Sequence, residues 1–104
     1  MNLNEYQESA LTTRLPSYGP EAAVLGLFSE AGEVAGVFQK MIRGDFGLEE
    51  TLDRLKKELG DVLWHIAAVA KDNNWELGDI AALNLSKLAD RQLRQVLTGD
   101  GDAR

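Results

Sequence analysis

Apolar residues recur along this chain at three- and four-residue spacings, and nowhere do they alternate regularly with polar ones. That period predicts helices throughout and no strand. The first runs from Leu3 to Thr13, with Asn2 or Asn4 available as its cap. Pro16, Gly19 and Pro20 interrupt the pattern, and Pro20-Glu21 suits a new helix start, where proline is tolerated and a carboxylate complements the helix dipole. The second helix then extends to Arg43 with Val24, Leu27, Phe28, Ala31, Val34, Ala35, Phe38, Met41 and Ile42 as its stripe, and Gly44 is placed to cap it. A third spans Leu48 to Asp72 on Leu52, Leu55, Leu59, Val62, Leu63, Ile66 and Val69, about 37 Å at the standard rise. Asn73-Asn74 breaks it, and a fourth runs from Glu76 to Leu97. The expected fold is all-α: one four-helix domain over residues 1–98, followed by a polar, frayed tail over 99–104.

Helices two and three are apolar over wide arcs yet carry acids inside those arcs. A chain of 104 residues makes a thin core and would struggle to cover both. The pattern therefore predicts a homo-oligomer in which a second copy completes the helical core.

The acids are the main chemical signal. Glu30-x-x-Glu33 and Glu58-x-x-Asp61 each set two carboxylates on one helix face, embedded in apolar surroundings where an unpaired charge is costly. Gly44-Asp45-Phe46-Gly47 is the only strong turn between them. Glu30 and Asp61 are equidistant from it, as are Glu33 and Glu58, so an antiparallel hairpin brings all four acids to one height. Four like charges there must repel, rise in pKa or capture a cation. Oxygen ligands favour Mg2+, Mn2+ or Ca2+ over zinc or copper. Magnesium held this way also binds phosphates and supports hydrolysis of a phosphoanhydride, with a spare carboxylate orienting the water. A single E-x-x-E is more often a solvated face; two pairs mirrored about a turn weigh against that reading.

Charge and composition narrow the partners. A formal net charge of −6 argues against a nucleic acid polymer or an anionic membrane as partner. Without cysteine there is neither a disulfide nor a thiolate metal site. No apolar run approaches the roughly 20 residues of a membrane span, and Met1-Asn2-Leu3-Asn4-Glu5 does not read as a signal peptide. The expectation is a cytoplasmic protein.

On the fourth helix, Asn84-x-x-Lys87-x-x-x-Arg91 shares one face. Such a stripe can bind a base or sugar together with a polyphosphate, and can equally be an exposed polar face. With it the chain resembles the MazG-like nucleoside triphosphate pyrophosphohydrolases. The resemblance runs through Glu5-Tyr6-Gln7, Gly26-Leu27-Phe28-Ser29-Glu30-Ala31-Gly32-Glu33-Val34, Lys57-Glu58-Leu59-Gly60-Asp61-Val62-Leu63-Trp64 and Asn84-Leu85-Ser86-Lys87-Leu88 with Arg91. It implies an all-α enzyme with magnesium on Glu30, Glu33, Glu58 and Asp61. It also implies cleavage of a nucleoside triphosphate between the α and β phosphates, and assembly as a homodimer or homotetramer.

Within that frame Glu33 is the candidate that positions the attacking water. Asn84, Lys87, Arg91 and His65 are candidate substrate contacts. His65 follows Asp61 by one turn, and a purely structural role is its alternative. Gly26, Gly32, Gly36 and Gly60 are read as sites of close helix packing, with room for a nucleotide as the other reading. Trp64 and Phe28 are read as core, while Trp75 and Tyr6 fit an interface or a pocket lining. Lys40 and Arg43 either reach phosphates or complement the end of the second helix. Two other classes compete. A di-iron carboxylate bundle needs Glu-x-x-His pairs, which one histidine cannot supply. A non-catalytic helical oligomerisation or regulatory module would bind metal without turning over nucleotide. The P-loop pattern is absent, which excludes only a Walker-type NTPase.

Overall fold

The computed structural model describes residues 1–104 as four helices: α1 (Leu3–Leu11), α2 (Pro20–Arg43), α3 (Leu48–Asp72) and α4 (Leu77–Leu93). The fold is all-α, as the periodicity predicts. Asn2 caps α1, its Oδ1 accepting from the Glu5 amide at 2.8 Å while its Nδ2 donates to the Glu5 carboxylate at 2.6 Å. Pro20 occupies the first turn of α2, and Gly44 ends it at φ 92°, the left-handed conformation that suits glycine. The Asp45 amide then donates back to the Lys40 carbonyl at 2.9 Å, turning the chain directly into α3.

Two helices end earlier than their apolar patterns suggest. α1 stops at Leu11 because the Thr12 and Thr13 hydroxyls donate to the Ser9 and Ala10 carbonyls, each at 2.7 Å, taking up groups a longer helix would use. α4 stops at Leu93 rather than Leu97. Gln95 adopts φ 60°, and the Val96 amide donates to the Arg91 carbonyl at 2.8 Å, so the chain doubles back. The last residues are accordingly folded against α4 instead of frayed.

Polar side chains tie the short helices to the hairpin. Gln7 is buried; its Nε2 donates to the carbonyls of Ala67 and Trp75, and its Oε1 accepts the Leu77 amide. One side chain thus joins α1, α3 and the start of α4 with its acceptor and donors satisfied. Asn4 caps the other helix in space, its Oδ1 accepting the Gly78 amide at 2.7 Å. Arg14 forms a bidentate pair with Asp72, both contacts 2.9 Å, and its Nε holds the Tyr18 carbonyl, fixing the α1–α2 loop to the end of α3.

The hydrophobic distribution is inverted. The closed-off apolar side chains are small (Ala23, Ala67, Ala68 and Ala70, with Val37 and Leu77), while Phe28 is 84% exposed and Ile42 83%. Leu25, Leu59, Leu83, Leu85 and Leu93 are exposed as well, and so is Trp75. Phe28 is therefore not core within one chain, against the sequence reading, whereas Trp64 is half-buried, its indole N–H donating to the Ala10 carbonyl. α4 packs on α1 and α3 but not on α2. The radius of gyration, 16.6 Å, exceeds the roughly 13 Å of a compact chain this long, so the four helices do not close into a compact bundle. No helix is long and apolar enough to cross a membrane.

Of the helical glycines singled out, only Gly26 meets a close neighbour. A Cβ there would overlap the Tyr18 hydroxyl and the His65 ring, whereas Gly32, Gly36 and Gly60 face open space within the chain. The close-packing reading holds for the first and fails for the other three. Gly26→Ala is expected to destabilise the fold by roughly 1–3 kcal/mol through overpacking, read as a lower urea midpoint at unchanged slope.

Candidate metal and phosphate site

The hairpin fixes what its two long helices present to each other. Gly26 on α2 faces His65 on α3. One turn nearer the connection, Glu30 meets the level of Asp61, and one turn further still Glu33 meets Glu58. Glu30, Glu58 and Asp61 converge: each offers a carboxylate oxygen, and these oxygens lie within 4.8 Å of one another. Glu30 and Glu58 are half-buried and Asp61 is exposed. Glu33 stays outside the triad on the exposed face of α2, so three acids share one centre instead of four.

The electrostatics follow from that convergence. Burial pushes the Glu58 carboxyl above its ordinary range, and the charges of Asp61, Glu30 and Glu33, with a hydrogen bond to Glu30, push it the same way. Glu33, though outside the triad, is therefore close enough to act on it. Tyr6 on α1 is raised too, by burial and then by the charge of Asp61, which puts its phenol at the edge of the cluster. Its position three residues after Leu3 in an amphipathic helix gave only the choice of interface or pocket.

A hard cation fits this donor set. Magnesium holds its ligands at about 2.0–2.1 Å and calcium at about 2.3–2.6 Å, so oxygens no further than 4.8 Å apart can reach one ion with small side-chain rotations. The donors are all carboxylate, and no lysine or arginine is paired with Glu30, Glu58 or Asp61.

The remaining predicted residues fall into two groups. His65 is buried and both its nitrogens are engaged: Nδ1 with the Asp61 carbonyl at 2.9 Å, Nε2 with the Tyr18 hydroxyl at 2.7 Å. The carbonyl can only accept, so Nδ1 carries a proton, and in the neutral ring Nε2 accepts from the tyrosine. No nitrogen is left for a phosphate or a base while these bonds stand, which favours the structural alternative for His65. Trp64 and Tyr18 meet edge-on with ring centroids 5.8 Å apart, completing a small aromatic cluster behind Asp61.

Asn84 is exposed on α4, while Lys87 and Arg91 on the same helix both bind Asp102. Since α4 does not touch α2, the cationic stripe and Glu30 stand on helices that do not meet within the chain. Arg43 pairs with Asp45 in the turn, its helix-end role rather than a phosphate contact. A surface cleft of about 480 Å3 lies elsewhere, between α1 and the α3–α4 junction, lined by Asn4, Gln7, Glu8 and Lys71 among others. The acids instead sit on an open face, which is where ligand and partner atoms can both approach.

Comparison with known proteins identifies the family. Residues 18–95 match the family described as the MazG nucleotide pyrophosphohydrolase domain. The chain is also similar to the Gene 37 protein of Mycobacterium phage L5, 39% identical over 88 residues that cover 83% of this chain and 77% of that protein. No solved structure matches. The matched stretch holds both acid pairs, the turn between them and the α4 stripe, and the chain belongs to the MazG nucleotide pyrophosphohydrolase family.

Proposed function

We propose that this protein is a magnesium-dependent nucleotide pyrophosphohydrolase that cleaves canonical or modified (d)NTPs between the α and β phosphates. The observation that carries the reading is the convergence of Glu30, Glu58 and Asp61 beside an unengaged Glu33. Glu30, Glu58 and Asp61 would hold Mg2+, with Mn2+ as a substitute and Glu33 contributing where a fourth ligand is needed. When bound there, the ion would supply charge neutralisation for the triphosphate and would make a water more acidic. Glu33 takes the proton of the attacking water. The water oxygen forms a bond to phosphorus as the α–β bridge breaks, and a nucleoside monophosphate and pyrophosphate leave.

Lys87 and Arg91 neutralise the phosphates, and Asn84 contacts the sugar or base. His65 and Tyr18 act behind the acids, fixing the α3 carbonyl of Asp61 and the spacing of α2 against α3. The exposed apolar faces and the separation of α4 from α2 support assembly as a homodimer or homotetramer, in which a second copy covers Phe28, Ile42 and the α4 leucines.

Purified protein incubated with magnesium and each canonical dNTP, NTP and dUTP should release monophosphate and pyrophosphate, and chelation should stop it. Diphosphate with orthophosphate would overturn the α–β assignment, and no turnover would favour the non-catalytic module. Glu33→Gln should lower kcat by roughly 10²–10⁴-fold, the usual share of a general base, at unchanged melting temperature. Glu58→Gln removes repulsion within the triad, so the metal-free variant should melt above the parent yet gain less from added magnesium. Sedimentation equilibrium should find a dimer or tetramer, and Phe28→Glu combined with Leu85→Glu should shift it toward monomer.

A further inference from the structure

The segment after α4 is built around a single carboxylate. Gln95 at φ 60° turns the chain back, and the Arg104 guanidinium then closes the loop on itself through the carbonyls of Val96, Leu97 and Gly101. Arg94 from the end of α4 binds the Arg104 carbonyl oxygen at 2.6 Å. Gly101, at φ 85°, takes a conformation other residues rarely adopt, and it sets the direction of the next residue, Asp102.

Asp102 lands on the α4 cations. Its Oδ1 accepts from Lys87 Nζ at 2.7 Å and from Arg91 Nη2 at 3.1 Å, while its backbone oxygen takes a further bond from the same Nη2. Lys87 and, less strongly, Arg91 hold the Asp102 carboxyl below its ordinary range. Two cations one helical turn apart converging on one anionic oxygen is also how a phosphate oxygen is gripped.

The two sides of the contact differ in exposure. The Arg91 side chain is 7% exposed and that of Asp102 82%. Arg91 is thus enclosed and Lys87 remains 38% exposed, while the carboxylate that both bind is open to solvent and to competition. Exposed ion pairs are weakly held, and a single carboxylate carries less charge than a triphosphate.

We propose that residues 97–104 form a displaceable strap, in which Asp102 occupies the Lys87–Arg91 pair until the phosphates of an incoming nucleotide take its place. The strap rests on the phosphate-binding role given above to those two residues. It makes the apparent affinity for a phosphorylated ligand depend on the fraction of molecules in which the strap is open. A strap closed nine-tenths of the time weakens binding by roughly tenfold.

The test compares the full chain with Asp102→Asn and with Asp102→Asn/Lys87→Met. Binding of inorganic pyrophosphate is measured by calorimetry with a metal chelator present, alongside steady-state nucleotide turnover in magnesium. Asp102→Asn is expected to bind pyrophosphate roughly five- to tenfold more tightly, to lose that gain when Lys87 is also replaced, and to show a lower KM at similar kcat. Equal or weaker pyrophosphate binding by Asp102→Asn overturns the strap. A gain that survives Lys87→Met overturns it too, as does the absence of pyrophosphate binding in all three proteins. Tighter pyrophosphate binding without any nucleotide turnover would keep the strap and remove the hydrolase reading. Turnover with unaltered pyrophosphate affinity would do the reverse.

Discussion

The close approach of α2 to α3 at Gly26 is the constraint on which the site depends. No other residue type leaves room for the Tyr18 hydroxyl and the His65 ring at that level. With the gap set there, the next two turns toward the connection carry Glu30 against Asp61 and Glu33 against Glu58. The helices cannot separate to relieve the repulsion without breaking the Tyr18–His65 contact and the buried alanine packing beyond it. The cluster is therefore an electrostatic cost imposed by packing, visible in the raised Glu58 carboxyl. A group that is unfavourable alone and favourable once a cation arrives is what a metal site requires.

The same constraint accounts for the inverted core. Close helix contact selects small residues, and α3 supplies Ala67, Ala68 and Ala70 where its neighbours meet it. The large apolar residues are then left on the outer arcs of α2 and α4. Stability in such a chain comes to depend on directional contacts, which explains the prominence of Gln7, Asn4 and the Arg14–Asp72 pair. Each joins elements far apart in sequence with donors and acceptors matched.

Much of this was legible in the sequence because it rests on periodicity and on a turn. The limits of α2 and α3, the Gly44 cap and the approach of Glu30 to Asp61, equidistant from the turn, all follow from local rules, and the structure agrees with them. Departures arise where tertiary contacts compete with local pattern. The apolar stripe of α4 runs on through Val96, yet the helix ends three residues earlier because Gln95 turns left-handed and the Val96 amide returns to the Arg91 carbonyl. Phe28 reads as core because periodicity reports that a residue wants burial, not which molecule buries it. His65 reads as either a substrate contact or a structural residue because spacing puts it on the face of Asp61, and only the position of Tyr18, 47 residues away, shows its ring to be engaged. Glu33 is on the correct face but at its solvent edge, a difference of side-chain direction that spacing alone does not carry.

Charge complementarity gives the last link between fold and function. The acids lie on the hairpin and the useful cations on α4, and α4 does not meet α2 within one chain. Had the two sets met, Lys87 and Arg91 would have neutralised Glu30, Glu58 and Asp61 directly, and neither metal nor phosphate would have a place. Standing the cations on a separate arm avoids that collapse, and the Asp102 contact gives them a partner in the meantime. Under the proposed function, a nucleotide with its metal would supply both missing charges at once, positive to the acids and negative to the arm. Its binding would then draw on both the hairpin and α4.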